Sequence, residues 1–265
     1  MEQRAYVARQ ITLLEEPSPG EDVYEIFVKS KNETRILADL MNAIRGDNLV
    51  VKSSFSFVPP EDKSVLMSSF FVDFSKAVCK PEAFENKVKG IDGVLEVKVI
   101  KPKPLLFESV HFPVKSGYLR YIIMPLREIQ TLWDSFEEMI SETGFSFVVY
   151  NAGKRSGRTC ALWFKTKFKL EGEELLSAIK DYMRAIGMGI VEFHDVNKET
   201  GTARVIIRDN FEGIKRRKPR PACYYTRGYI AGILSEVFGK DVGVTEKKCV
   251  AAGDEYCEFE AKARV

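Results

Sequence analysis

The fold is decided by two stretches near the C-terminus, PACYYTRGYIAGILSEVFG (residues 221–239) and VTEKKCVAAGDEYCEFEA (residues 244–261). The first is typical of a buried helix, and the second predicts two strands joined by a turn at residues 252–254. Together they contain four candidate metal ligands, Cys223, Glu246, Cys249 and Cys257. Three thiolates and a carboxylate suit a soft ion in a tetrahedral site, and zinc is the leading candidate.

This donor set leaves no coordination position open for a substrate. Four protein ligands are typical of structural zinc, whereas catalytic zinc keeps a position for water. The metal is therefore predicted to stabilise the fold. Buried free thiols or an exchangeable thiol pair remain the alternative interpretation. Lys247, Lys248 and Arg220 are close in sequence and are expected to offset the negative charge of the cluster.

Length and composition indicate a globular protein with room for two domains. The chain has 265 residues, of which 45% are hydrophobic and 29% charged, and its formal net charge is +2. No stretch has the length of a membrane span, and the N-terminal residues lack the apolar segment of a signal peptide. Five cysteines, three of them in one cluster, suit a reducing compartment, so we expect a cytoplasmic protein. The other two, Cys79 and Cys160, lie in apolar surroundings and are interpreted as buried small side chains.

The N-terminal part predicts a short helix or arm over residues 1–20 and a compact domain over residues 21–104. Alternating and helical patterns in the second range follow the order β-α-β-β-α-β, which is the split βαβ arrangement of ferredoxin-like domains. Pro102 and Pro104 close the domain and predict a stiff linker around Lys103.

This order of elements, together with the phrase GIDGVLEVKVI (residues 90–100), resembles an ACT-type regulatory domain. Domains of that family commonly bind amino acids through a glycine-containing turn after the first strand. Here the turn is Ser30-Lys31-Asn32 and has no glycine. A scaffold or dimerisation role is therefore expected for this domain, and a ferredoxin-like domain of another kind remains open.

Residues 105–265 predict an α/β domain, which makes the chain an α+β protein as a whole. An amphipathic helix is predicted from Pro125 to Thr143 and is expected to stop at Gly144. A second helix ends at Gly187. A hairpin that turns at residues 197–201 then precedes the helix at residues 221–239 and the strand-turn-strand at residues 244–261.

Three segments of this domain resemble the 4-vinyl-reductase (4VR), or hydrocarbon-binding, domain family. They are GFSFVVYNAGKRSG (residues 144–157), TRGYIAGILSEVFG (residues 226–239) and EKKCVAAGDEYCEF (residues 246–259). The phenol-sensing domains of bacterial transcriptional activators resemble this pattern most closely. The resemblance implies zinc held by three cysteines and a glutamate, at the positions of Cys223, Glu246, Cys249 and Cys257.

The resemblance also implies a pocket for an apolar ligand, and this domain is rich in aromatic residues. Gly228 and Gly232, one turn apart, would free volume on the helix where the family holds its ligand. An ordinary aromatic core is the alternative. The residues assigned to the pocket are Tyr150, Trp163, Phe164, Tyr225, Gly228, Tyr229 and Gly232.

No catalytic motif accompanies these features. The histidines, His111 and His194, lack any partner motif, and neither a Walker sequence nor a dinucleotide fingerprint is present. The basic run Lys215–Arg220 is interpreted as a solvated loop, because no nucleic-acid-binding motif accompanies it. Direct binding of nucleic acid is therefore disfavoured.

The sequence thus favours a non-enzymatic sensor or regulatory protein that binds a small apolar or aromatic ligand and contains structural zinc. We expect a homodimer and a possible protein partner, since the chain contains no recognisable output segment. Two other functions remain open. One is an auxiliary factor in tetrapyrrole or aromatic-compound metabolism, and the other is an assembly module comparable to vesicle-tethering subunits of this fold.

Overall fold

A computed structural model describes residues 11, 14–15, 17–101, 106–108, 110–117 and 119–264. Most of the predicted arm over residues 1–20, and the predicted linker at residues 102–104, lie outside the described residues. The chain forms two compact units, Met1–Ile122 and Ile123–Val265, whereas the boundary predicted from the linker prolines falls after residue 104. None of the described helices combines the length and the apolar composition that a bilayer crossing requires.

The first unit is built on a four-stranded antiparallel sheet in the order β3-β4-β2-β5. This order, with both helices connecting strands of one sheet, is that of the split βαβ arrangement. The specific resemblance to ACT-type domains stays a prediction. The elements are β1 (Leu14–Glu15), β2 (Val23–Lys31), α1 (Thr34–Gly46), β3 (Val50–Phe57), β4 (Val65–Asp73), α2 (Pro81–Lys89), β5 (Val94–Ile100), β6 (Leu106–Phe107), β7 (Lys115–Ser116) and β8 (Leu119–Arg120).

The two faces of this sheet differ because side chains alternate along each strand. Ile26 and Val28 of β2 face the helices and pack with Ile36 and Phe84 in the main core of the unit. The intervening residues of β2, including Glu25, lie on the opposite face, where a smaller buried cluster contains Phe71.

The second unit packs three helices with a second four-stranded antiparallel sheet, in the order β11-β12-β10-β9. Its core joins α4, α5 and both central strands. The predicted hairpin at residues 197–201 and the terminal hairpin are both present. The elements are α3 (Leu126–Phe168), α4 (Gly172–Ala185), β9 (Ile190–Asn197), β10 (Thr202–Arg208), α5 (Tyr224–Phe238), β11 (Val242–Lys248), a 3-10 turn (Val250–Ala252) and β12 (Cys257–Ala263).

The predicted helix stop at Gly144 is wrong. The helical path is interrupted at Ser141, whose φ of 67° and ψ of 156° are not helical, and it then continues through Gly144 to Phe168. The part of the helix after Gly144 is stabilised because every fourth residue of it is buried against the rest of the unit. This tertiary packing outweighs the helix-breaking tendency of a single glycine. The buried residues are Phe145, Val149, Gly153, Gly157 and Ala161.

Glycines on α3 and α5 bring the two helix backbones into direct contact. A Cβ on Gly157 would overlap the carbonyl oxygen of Tyr229, and one on Gly228 would overlap that of Tyr150. Gly153 and Gly232 are placed in the same way against the backbone of the other helix. The contact therefore requires the absence of side chains at these positions.

Candidate metal centre

Four side chains from the start of α5 and the terminal hairpin converge in the second unit. Cys223 precedes the first turn of α5, Glu246 lies on β11, Cys249 follows β11, and Cys257 begins β12. All four are buried, with exposed fractions between 0% and 7%. One ligand atom from each lies within 4.8 Å of the others. The sequence prediction that these four residues come together is therefore met by the geometry.

The loop between Cys249 and Cys257 is shaped by its own hydrogen bonds. The backbone N–H of Cys249 donates to Oδ2 of Asp254 (2.8 Å), and that of Val250 donates to Sγ of Cys257 (3.4 Å). Gly253 adopts a positive φ of 105°, which turns the chain back toward β12. Both sulfurs consequently face the N-terminal end of α5.

The spacing of the sulfurs matches a tetrahedral thiolate site. Sγ of Cys223 lies 3.5 Å from Sγ of Cys249 and 3.8 Å from Sγ of Cys257. Zn–S bonds of about 2.3 Å in a tetrahedron place sulfurs roughly 3.8 Å apart, whereas a disulfide needs about 2.05 Å. Disulfide bonding is therefore absent from this arrangement.

The electrostatics of the cluster also favour a cation. Burial raises the pKa of the Glu246 carboxyl to about 8, and the neighbouring Cys249 thiolate adds to this effect. Hydrogen bonds with Cys249 and Cys257, together with burial, raise the pKa of the Cys223 thiol well above its ordinary value. A divalent ion at the centre would reverse both preferences, because it stabilises the charged form of every donor.

Glu246 supplies a further indication that the residues fit an ion. Its Oε2 accepts a hydrogen bond from the backbone N–H of Cys223 (2.9 Å). Its Oε1 is buried and has no hydrogen-bond partner among the described residues. A metal–oxygen bond would compensate an oxygen that is otherwise costly to bury.

Residues 209–213, which the sequence analysis did not single out, support the cluster from the side of β10. Asn210 donates from Nδ2 to Sγ of Cys257 (3.4 Å). The Glu212 carboxylate accepts the backbone N–H groups of Tyr225 (2.9 Å) and Thr226 (2.7 Å) at the start of α5. A Cβ on Gly213 would lie 3.2 Å from Sγ of Cys223. In the sequence, these residues are marked only as an Asn, a Glu and a Gly just after a strand. That pattern is too common to predict contacts with a metal site.

Replacing Glu212 by alanine should destabilise the second unit. The substitution leaves one buried N–H group (Thr226) and one partly buried N–H group (Tyr225) of the first turn of α5 without acceptors, at a cost of about 2–4 kcal/mol. Urea unfolding followed by circular dichroism would measure this change. Glu255→Ala, at an exposed position of the same unit, is the control and should leave the unfolding free energy within about 0.5 kcal/mol of its original value. Equal stability of the two variants would contradict the capping role.

The basic residues expected to offset the charge of the cluster lie elsewhere. Lys247 pairs with Glu260 (3.1 Å), Lys248 contacts the hydroxyl of Tyr256 (2.8 Å), and Arg220 pairs with Glu142 (2.6 Å). Lys247 follows Glu246 directly on a strand, so its side chain points to the opposite face. Proximity in sequence was therefore a poor guide to which charges surround the site.

The basic run Lys215–Arg220 lies against an acidic part of α3. Arg216 pairs with Asp134 (2.8 Å), and Lys218 pairs with Glu137 (2.8 Å). With the Arg220–Glu142 pair, these contacts engage three of the five basic residues of the run. Cations that already have carboxylate partners are less available for phosphate groups. The prediction that the run does not bind nucleic acid stays a prediction.

The residues assigned to an apolar pocket are distributed around α3 and α5. The rings of Tyr225 and Tyr229 stack with centroids 6.0 Å apart, and those of Trp163 and Phe164 meet edge to face at 4.7 Å. Tyr150 lies under the guanidinium of Arg227 at 5.2 Å.

Gly228 and Gly232, which were assigned to the pocket, contact the backbone of α3. The space left by their missing side chains is therefore filled by α3. The side chain of Tyr229 is almost fully buried, and those of Tyr150, Trp163, Phe164 and Tyr225 are partly buried. The assignment of these residues to a ligand pocket stays a prediction.

Comparison with known proteins finds a family model that matches part of the second unit. Residues 204–263 match the family model of the V4R domain. Two uncharacterised proteins of Methanocaldococcus jannaschii are similar in sequence. MJ0855 is 38% identical over 100 residues, which are 32% of this chain and 43% of that protein. MJ0150 is 28% identical over 124 residues, which are 45% of this chain and 65% of that protein. The chain thus spans less than two thirds of the length of either relative.

One solved structure similar to this chain is the phenol-responsive sensory domain of the transcription activator PoxR with phenol. It has a TM-score of 0.50 and 22% sequence identity, and the match covers 56% of this chain and 78% of that domain. A vinyl-4-reductase family protein from Methanocaldococcus jannaschii has a TM-score of 0.41 and 19% identity, with 55% of this chain and 85% of that one covered. The family resemblance recognised from the sequence is confirmed for residues 204–263, the segment of the C-terminal unit that matches the V4R domain model.

Proposed function

We propose that this protein is a non-enzymatic sensor that binds a small apolar or aromatic molecule in its C-terminal unit, which a structural zinc ion stabilises. The observation that carries the proposal is the closed donor set. Four protein ligands, all buried, leave a tetrahedral ion no position for a substrate. The ion would therefore hold α5 to the terminal hairpin, and ligand recognition would belong to the side chains along α5.

The aromatic residues of α5 support ligand recognition. Tyr225 and Tyr229 follow the metal ligand Cys223 within two turns of helix and stack on each other. Trp133 and Phe211 extend this group, with ring centroids 6.0 Å and 6.1 Å from Tyr225. Burial raises the pKa values of both tyrosine hydroxyls, so these groups remain neutral hydrogen-bonding groups in an apolar region. Such a region, mostly apolar with a few hydroxyls, suits a small aromatic ligand.

The same helix connects recognition to a response. A ligand against Tyr225 would bias the position of α5, which is fixed at its start by the cluster and along its length by α3. Ligand binding would then select one packing of these helices, as in a population shift. The apolar residues exposed on α3 include Leu132, Phe136 and Met139, and the predicted homodimer would bury them. A cytoplasmic location and a partner protein remain part of this proposal.

Native mass spectrometry and thermal unfolding test ligand binding. Phenol is the first probe, because the similar sensory domain of PoxR was solved with phenol. At a phenol concentration 100 times its dissociation constant, we expect about 2.7 kcal/mol of stabilisation. Tyr225→Ala should abolish this gain, while Phe147→Ala, whose side chain is 70% exposed on α3, should keep it.

Zinc content and circular dichroism show whether each variant is folded. Absence of any apolar molecule from protein purified from its own host, together with no stabilisation by phenol or larger aromatic probes, would contradict the sensor function. A bound pigment or flavin would instead support the auxiliary-factor alternative.

A further inference from the structure

A second group of metal-ligand side chains lies in the first unit, far in sequence from the cysteines. Glu25 is in β2, and Glu108 and His111 belong to the segment that follows β6. One ligand atom from each of the three residues lies within 4.8 Å of the others. Glu25 is fully buried and lies on the face of the sheet that points away from the helices.

Hydrogen bonds orient the imidazole of His111 within this group. Oε1 of Glu108 accepts the backbone N–H groups of Val110 (3.0 Å) and His111 (2.9 Å), and it lies 2.8 Å from Nδ1 of His111. A neutral imidazole that donates from Nδ1 to this carboxylate leaves Nε2 unprotonated. Nε2 is buried and has no hydrogen-bond partner among the described residues.

The surroundings of the imidazole are aromatic. The rings of Phe27, Phe55 and Phe57 all meet it edge to face, with centroids 5.2–5.4 Å away. Beside it, Oε1 of the Glu25 carboxylate accepts a hydrogen bond from the hydroxyl of Ser69 (2.8 Å). An unpartnered ring nitrogen beside carboxylates, with aromatic rings around it, favours a cation at this position.

We propose that Glu25 and Nε2 of His111 bind a divalent first-row transition ion through oxygen and nitrogen donors, with Glu108 orienting the imidazole. The contact between Glu108 and Nδ1 is the arrangement by which a carboxylate fixes the orientation of a metal-binding histidine. Two protein donors leave coordination positions open for water or a further ligand, unlike the cysteine cluster. Imidazole and carboxylate donors accept zinc, cobalt and manganese, whereas the thiolate cluster selects soft ions.

The same geometry has a simpler explanation, in which a protonated His111 is held by the two carboxylates and no ion binds. The two explanations differ in metal stoichiometry. Cobalt(II) is a suitable probe because thiolate ligands give it an intense sulfur-to-metal charge-transfer absorption that nitrogen and oxygen ligands do not give. The two sites can therefore be titrated separately in the same protein.

We expect the metal-free protein to bind two equivalents of cobalt, of which only one produces the sulfur band. His111→Ala and Glu25→Gln should each remove the equivalent without the band and leave the other in place. Glu25→Gln keeps the shape of the side chain, so it guards against loss of folding in the alanine variant. Cys257→Ser should have the opposite effect and retain the equivalent without the sulfur band.

His194→Ala is the matched control, because it removes the other histidine of the chain, which pairs with Glu192 in the second unit (3.1 Å). This variant should still bind two equivalents. Binding of one equivalent by the unaltered protein would overturn the proposal. Retention of the second equivalent in both His111→Ala and Glu25→Gln would overturn it as well. Neither outcome would affect the proposed sensor function, which rests on the second unit.

Discussion

Cys257→Ser should abolish stoichiometric zinc binding and produce the largest loss of stability of any single change at the cysteine cluster. The serine hydroxyl stays protonated and is a poor zinc ligand, so the remaining two thiols and Glu246 would be buried without their ion. Binding of structural zinc contributes about 10–16 kcal/mol in small zinc domains. We therefore expect the C-terminal unit to lose at least about 4 kcal/mol, or roughly 10 °C in melting temperature.

Elemental analysis and thermal unfolding of the purified protein would measure both effects. Cys79→Ser is the control, because Cys79 lies in the first unit and takes no part in the cluster. It should retain the full zinc content and melt close to the unaltered protein. An unchanged zinc content and melting temperature in Cys257→Ser would rule out the structural role of the ion.

Gly157→Ala should be the most damaging single-methyl substitution in α3. The added Cβ would overlap the carbonyl oxygen of Tyr229, and a backbone carbonyl cannot move aside as a side chain can. The helices α3 and α5 would have to separate, at a cost of about 3 kcal/mol. Because Cys223 directly precedes α5, we also expect weaker zinc retention when the protein is challenged with a chelator.

Gly144→Ala is a matched control within the same helix. The nearest atom to its added Cβ is Oγ of Ser141 at 3.7 Å, which is an ordinary contact distance. Since alanine favours a helix more than glycine does, this variant should be as stable as the original protein or more stable by about 0.5–1 kcal/mol. Equal effects of the two substitutions, measured by urea unfolding, would contradict the proposed backbone contact.

The cysteine cluster could be predicted from sequence because its chemistry uses few residue types at short spacing. Cys249 and Cys257 flank one turn, and Cys223 opens the preceding helix, so local patterns almost suffice to bring them together. Asn210 and Glu212 reach the same site from β10, and no local pattern assigns them to it. Their roles depend on which strand packs beside which helix end.

The roles of the glycines also could not be predicted from local sequence patterns. Gly144 has the form of a helix stop and Gly228 that of a residue bordering a ligand, yet α3 continues through the first and packs its backbone against the second. Helix propensity is a small energy per residue, about 1 kcal/mol for glycine, and the burial of a long apolar stripe exceeds it. Which element packs against a given face of a helix is decided by the tertiary structure.

By itself, the sequence determined the two-unit organisation, the order of elements around the first sheet, the resemblance to the V4R family and the four candidate zinc ligands. The organisation and the order of elements follow from periodicity and turn residues, the candidate ligands from their chemistry, and the resemblance from three short motif segments, all of which involve only a few neighbouring positions. Only the tertiary structure decided that α3 and α5 meet backbone to backbone, and that Glu25 lies beside Glu108 and His111. The physical reason is that a strand pattern specifies which side chains share a face, while the segment that covers the face is chosen by packing of the folded chain.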